Sequence, residues 1–319
     1  MLAFLTISWN GARELLRQPL ILILVTVPSL FMVLMSHIPY LALESEDKMV
    51  KDSALALVFL IGLMAAVFCA SNTLALELRS GTALAVLAKP VSRSKFLIAK
   101  YFGVAISLTL VIYVNILTAM LCSRMVPDIY QAHDPPAVTS ALLGIVLGLM
   151  LGGYTNFFLH RQFIGDAVLG IVGFSTLTFI AVCFVGKKWD MHSFGSLMDW
   201  RMLPAGILIL FALLVLASIA LACSTRLELM PTLAVCCIVF LLGLMTDYLF
   251  GRVASEGVVW AKVLYAVLPN WQLFWMADAL EGSKSIPAAY LVRAFSYVAC
   301  YVVAAMSLGL ALFEDRELA

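Results

Sequence analysis

The sequence predicts an all-α protein built into a membrane, and three observations carry that prediction. Of its 319 residues, 63% are hydrophobic and only 12% charged, against about 45–50% and about 25% in a soluble domain. Mean hydropathy is +1.04. The apolar residues gather in eight runs, 19–40, 54–76, 98–122, 137–159, 164–186, 204–223, 231–251 and 288–312, each near the roughly 20 residues that a bilayer requires. A backbone in hydrocarbon must satisfy its own hydrogen bonds, so runs of this length are helices. The chain reads as a single polytopic helical bundle over 1–319.

Residues 1–18 suit a surface helix. Thr6, Asn10, Arg13 and Arg17 recur every three to four residues and form a polar stripe on an otherwise apolar cylinder. A slightly polar extension of the first span is the other reading. Pro19 then opens that span, where a first helical turn tolerates proline. The run from Leu20 to Tyr40 is longer than a signal-peptide core and lacks a clear small-residue cleavage site, so it reads as retained.

With the N-terminus inside, ten Lys and Arg fall inside and ten outside. Setting aside the long 252–287 connection and Arg293 at its end leaves ten against six, because the positive-inside rule weighs short loops and span ends. Acidic Glu44, Glu46, Asp47 and Asp52 gather in one outside loop. Both termini are therefore expected in the cytoplasm, in a multi-pass protein of the cell (inner or plasma) membrane.

Within the fourth run, Gly144, Gly148 and Gly152 stand four apart, on one helix face, and let another backbone approach closely. That face packs within the subunit or against a second copy. Asp166 and Asp247 are ionisable groups near span ends, where water reaches them; deeper ionisable groups are rare and functional. Outside, Gly257–Val267 and Trp271–Leu280 are helical in pattern but too short to cross, and Pro269-Asn270 divides them. They read as a re-entrant or interfacial pair spanning 256–283 with aromatic rings at headgroup level, or as one kinked crossing.

Several function classes drop out. A net charge of +1 provides no basic face for nucleic acid. Seven cysteines lie in or at the ends of apolar runs without C-x-x-C spacing, and four histidines are scattered, so neither a metal nor a cofactor is expected in this chain. The chain has no phosphate loop, H-E-x-x-H or G-x-S-x-G motif, so ATP and magnesium would have to be bound by another chain and no catalytic residue is expected here.

One stretch breaks the apolar pattern: ELRSGTALAVLAKPVSRSKFLIAKYFG, from Glu77 to Gly103. Ser80 can cap a short helix in which Leu84, Leu87 and Ala88 share a face. Pro90 ends it, and Ser92 can cap the next. A segment of this kind, 77–97, either docks a cytosolic partner or is a solvated positive-inside loop.

The same stretch resembles the cytoplasmic signature of membrane permeases of the type-2 ATP-binding-cassette (ABC-2 type) transporters. Its acidic Glu77, Ser80-Gly81-Thr82, the Lys89-Pro90-Val91-Ser92-Arg93 turn and Lys100-Tyr101-Phe102-Gly103 follow the family's order. Residues 1–18 resemble the family's elbow helix, LPNWQLFWMADAL its external re-entrant helices, and FEDREL its cytoplasmic end. The resemblance implies a permease subunit, an exporter, without its own ATPase. Glu77, Arg79, Ser80, Gly81, Thr82, Leu84, Leu87, Lys89, Pro90 and Arg93 would form a coupling helix seated in an ATPase subunit, and the working unit would be two permeases, identical or paralogous, with two ATPases. The family core has six spans, so eight implies an added pair around 204–251. A stand-alone secondary transporter or intramembrane enzyme is the alternative; the first needs midplane charges and repeats of broken helices, the second a paired nucleophile and base.

Overall fold

The computed structural model describes residues 2–37, 46–79, 92–126, 134–280 and 285–314, with the backbone alone at 2, 46 and 75–79. Its helices in order are α1 (Leu2–Leu16), α2 (Pro19–Met35), α3 (Glu46–Arg79), α4 (Arg93–Met125), α5 (Pro135–Leu159), α6 (Phe163–Val182), α7 (Met202–Ser224) and α8 (Leu229–Leu244). A π-helical turn, Asp247–Gly251, then leads through α9 (Arg252–Ser255) to α10 (Val259–Val267) and α11 (Ala288–Glu314). Local chemistry sets several boundaries. Ser92 Oγ accepts the Lys95 amide at 3.4 Å and Asp134 Oδ1 the Ala137 amide at 3.1 Å, capping α4 and α5, while prolines open α2 and α5, where a missing N–H costs nothing.

Among the described residues six helices are long and apolar enough to cross a membrane, and up to eight spans result when each of two bent pairs is counted as one. The pairs are α1 with α2, bent by 62°, and α8 with the π turn and α9, bent by 55°. Contacts sort the helix ends into two groups. Arg226, after α7, bonds the Leu312 carbonyl near the end of α11 at 2.8 Å, whereas Asp278 sits 3.7 Å from Lys48 at the start of α3. The chain from 226 to 278 therefore travels from one end of the bundle to the other, and the α8 pair makes that crossing. We call the end with Arg226 and the α3–α4 connection proximal, and the other distal.

Burial ranks the spans. In α4 72% of the most apolar stretch is buried, in α11 only 17%, so α4 is central and α11 peripheral. Lipid is as apolar as leucine, so polar contacts and close packing hold such helices together. Asn115 of α4 donates to the Leu24 carbonyl of α2 at 3.2 Å, Ser107 to the Ala12 carbonyl of α1 at 3.3 Å, and Tyr101 to the Leu214 carbonyl of α7 at 3.2 Å. Gln18, at the α1–α2 junction, accepts from Asn72 of α3 at 3.1 Å.

The glycine stripe of α5 lies on α6 of the same chain. A methyl on Gly144 would stand 2.8 Å from Ser175 Cα, one on Gly152 2.7 Å from Ala167 Cβ, and one on Gly148 would collide with the Ile171 backbone. The three glycines thus let the two helices touch along their backbones.

Past α10 the chain departs from the expected second short α-helix. Trp271–Leu273 and Ala277–Leu280 are single 3-10 turns. Trp271 and Phe274 are fully buried, and the indole fills the space beside Gly243 and donates to the Val239 carbonyl at 3.4 Å. Trp271 meets Phe240 of α8, Phe274 meets Tyr297 of α11 and Trp275 stacks on Phe59 of α3, so the segment is fastened to three helices. Asp247, in the π turn, accepts from Tyr265 Oη at 2.8 Å and Asn270 Nδ2 at 2.9 Å, so this carboxylate fastens α10 and the Pro269-Asn270 turn to the break in the seventh span.

At the distal end Lys51 of α3 reaches Asp47 and Asp199, each at 2.6 Å, and Arg201 bonds Asp199 through Nε and Nη2, both at 2.8 Å. Burial opposes ionisation of Asp199, yet the hydrogen bonds from Arg201 and Lys51 outweigh it and hold the carboxyl at about 2, below its ordinary 3.8. A lowered folded value stabilises the protein above the ordinary value, and that contribution is lost as pH falls through the folded one. The melting temperature in detergent should therefore drop between about pH 4 and about pH 2 by more in the wild type than in Asp199→Asn, with the variant less stable near about pH 7 by on the order of 1 kcal/mol. Parallel pH profiles for the two proteins would show that this contact carries no stability.

Candidate functional site

The site that the sequence singles out joins the C-terminus of α3 to the N-terminus of α4. These helices have 34 and 33 residues, about 50 Å each at 1.5 Å per residue, whereas the hydrocarbon is about 30 Å thick. Both therefore project beyond it. The apolar run of α3 reaches Leu76, and the helix carries Glu77 and Arg79 directly beyond it. Ser80, Gly81, Thr82, Leu84, Leu87, Lys89 and Pro90 lie outside the described residues, and of Glu77 and Arg79 the backbone is described.

Arg93 is the member of the site whose surroundings are on view. Its Nη1 donates to the Phe313 carbonyl at 3.0 Å and to the Glu314 carbonyl at 2.9 Å, and its guanidinium lies 5.6 Å from the centre of the Phe313 ring. The Phe313 ring stacks on Phe96 of α4 at 6.3 Å. Arg226 adds its bond to the Leu312 carbonyl from the other side. The last carbonyls of a helix lack partners within it and carry the negative end of its dipole. Two arginines from other spans supply both the donors and the opposing charge, so the start of α4, the end of α7 and the end of α11 form one joint. Lys100, also buried, holds its ammonium 5.7 Å from the Phe96 ring centre.

Arg93, which the sequence reading assigns to the coupling segment, places its guanidinium on the end of α11. Arg226 enters that reading only as one inside charge. Its position just past the end of an apolar run is the signal that could have marked it, because a cation there stands level with the carbonyl ends of neighbouring spans. The glycines 144, 148 and 152 lie in the α5–α6 contact, apart from this joint.

Among the described residues no group of three His, Cys, Asp or Glu side chains is placed to hold a metal ion. The seven cysteines are free thiols, four of them buried. The sequence matches no protein-family model, and no curated protein is similar enough to register as a relative.

Removing both guanidinium groups should release the end of α11. In Arg93→Ala/Arg226→Ala, amide hydrogens over 310–314 should exchange on the order of tenfold faster, the equivalent of about 1.4 kcal/mol of lost local stability, while those of α5 keep their protection. Unchanged exchange at 310–314, read by mass spectrometry on the protein in detergent, would show that the arginines do not secure that helix end.

Proposed function

We propose that this chain is the permease subunit of a type-2 ATP-binding-cassette transporter, an exporter that couples ATP hydrolysis in a separate chain to movement of a substrate across the cell membrane. The observation that carries the reading is the Glu77–Gly103 stretch, which follows the family signature element by element and joins two helices that extend past the hydrocarbon. The Arg93 joint supports it further. A push on the α3–α4 connection acts on the first turn of α4, and that turn is bonded to the ends of α7 and α11.

On this reading the chain has no catalytic residue. Glu77 and Arg79 present opposite charges to a cytosolic ATPase, and Leu84 and Leu87 give the intervening segment an apolar edge. Two ATPase copies bind ATP and magnesium, and two permease copies, identical or paralogous, enclose the path between them. Closure of the ATPase pair biases the permease between inward-open and outward-open arrangements. Coupling of that kind requires the contact to differ in free energy between the two states. The distal segment 256–283 would guard the outer mouth, and the helix of residues 1–18 would lie in the cytoplasmic interface as an elbow.

Charge reversal tests the coupling role. Glu77→Lys and Arg79→Glu should each leave membrane abundance normal, since surface substitutions usually change stability by about 0.5 kcal/mol. Each should weaken capture of the cognate ATPase by on the order of 1–3 kcal/mol and abolish substrate-stimulated ATP hydrolysis. Normal abundance with normal capture and stimulation in both variants would contradict the proposal and leave the segment as a positive-inside anchor.

A further inference from the structure

We infer that the proximal end of the bundle holds a binding site for an anionic phospholipid, formed by α1, α4 and the start of α6. A cavity of about 400 Å³ opens there. It has a polar mouth and an apolar interior, the division that an amphiphile requires. Arg13 and Arg17 of α1 and Arg161 and Gln162 of the α5–α6 turn line the mouth; Ile106 and Leu110 of α4 and Leu169 of α6 line the interior. Leu169 stands six residues into α6, about 9 Å beyond Phe163 along the helix, so the apolar wall descends into the span while the arginines stay at its edge.

Charge selects the ligand. Asp166 faces the same cavity, but Arg161 Nε lies 3.2 Å from its Oδ2, so these two charges answer each other. Asn10 and Glu14 stand on the outer rim beside Arg13 and Arg17. Among the described residues Arg13 and Arg17 form no ion pair. Spaced four apart, they present two guanidinium groups side by side at one mouth, a geometry that matches the oxygens of a phosphate. The rest of α1 is built to hold them there. Its other face, with Ser8, Gly11 and Leu15, is buried, and a methyl on Gly103 of α4 would stand 2.9 Å from the Ser8 carbonyl. The helix is therefore fixed on α4 by backbone contact and leaves its arginines over the cavity. Trp9, exposed on the cavity side, supplies an aromatic ring at headgroup depth. A free phosphate would use the arginines and leave the apolar wall bare, whereas a phospholipid fills both. This inference stands independently of the transport reading, because it requires neither an ATPase nor a moving substrate.

The test uses the full-length chain, stripped of lipid in detergent. Its thermal unfolding is followed in mixed micelles against phosphatidylglycerol, phosphatidylcholine with the same acyl chains, and inorganic phosphate. Phosphatidylglycerol should stabilise the protein at a concentration at least about tenfold below phosphatidylcholine, and phosphate alone should produce no shift. Arg13→Gln/Arg17→Gln should remove that preference and leave the melting temperature in phosphatidylcholine unchanged. Leu110→Trp, which fills the interior and keeps every charge, should weaken phosphatidylglycerol binding as well and provides the readout if the double variant does not fold. Equal response to the two lipids, a preference that survives both variants, or a full shift from phosphate alone would overturn the assignment, the last by showing a simple anion site.

Discussion

The end of a transmembrane helix presents carbonyls that no residue of the same helix can bond, and in this protein arginines from other spans meet that demand at both ends of the bundle. At the distal end Arg124 of α4 donates from Nη1 to the Val182 carbonyl at 2.9 Å and from Nη2 to the Val185 carbonyl at 2.6 Å. Its Nε reaches Asp134 Oδ2 at 2.6 Å. Only 2% of the Arg124 side chain and 1% of the Asp134 side chain are exposed. The remaining carbonyls at the end of α6 are also used: Cys183 accepts from the Gly195 amide and Phe184 from the His192 amide. One cation thus completes the α6 terminus, and its counter-ion caps α5. The planar guanidinium donates from three separate nitrogens in a fixed fork, whereas the three donors of a lysine share one nitrogen.

Arg93 and Arg226 repeat the device on the Leu312, Phe313 and Glu314 carbonyls at the proximal end. The two clamps divide the bundle unevenly. The distal one ties α4, α5 and α6 through a buried ion pair, and the proximal one ties α4, α7 and α11 through a more exposed joint. Both include α4, the most buried span, so a load on its first turn is shared along the whole helix. Local stability falls from the buried contacts toward the exposed ones, which makes the proximal joint the place where a cytosolic partner could shift helix positions at least cost. The coupling role proposed for the α3–α4 connection draws its mechanical sense from that asymmetry.

Much of this architecture is legible in the sequence because hydrophobic length alone dictates it. The runs at 54–76, 98–122, 137–159, 164–186, 204–223 and 288–312 are helices, and the polar stripe of residues 1–18 marks the exposed side of α1. What escapes the sequence is decided by partners distant along the chain. The run 231–251 looks continuous, yet the helix breaks after Leu244, where Gly243 makes room for the Trp271 ring. Trp271–Leu280 has a helical pattern, but its aromatic residues reach three different helices, α8, α11 and α3. Arg124 and Arg226 appear in the sequence only as loop charges that help to orient the chain; their clamping role depends on which carbonyls they meet. The glycines at 144, 148 and 152 declare a close contact without naming α6 as the helix on the other side.

A double-mutant cycle on Arg124 and Asp134, followed by reversible unfolding in detergent, tests the clamp most directly. Removing one partner of a buried pair typically costs about 3–5 kcal/mol because a charge is left uncompensated. A loss of that size is expected for Arg124→Ala and for Asp134→Ala, with the double variant no less stable than the less stable single one, so that the coupling reaches about 3 kcal/mol. Small, additive losses below about 0.5 kcal/mol each would contradict the clamp, and the helix ends would then be held by something other than their arginines.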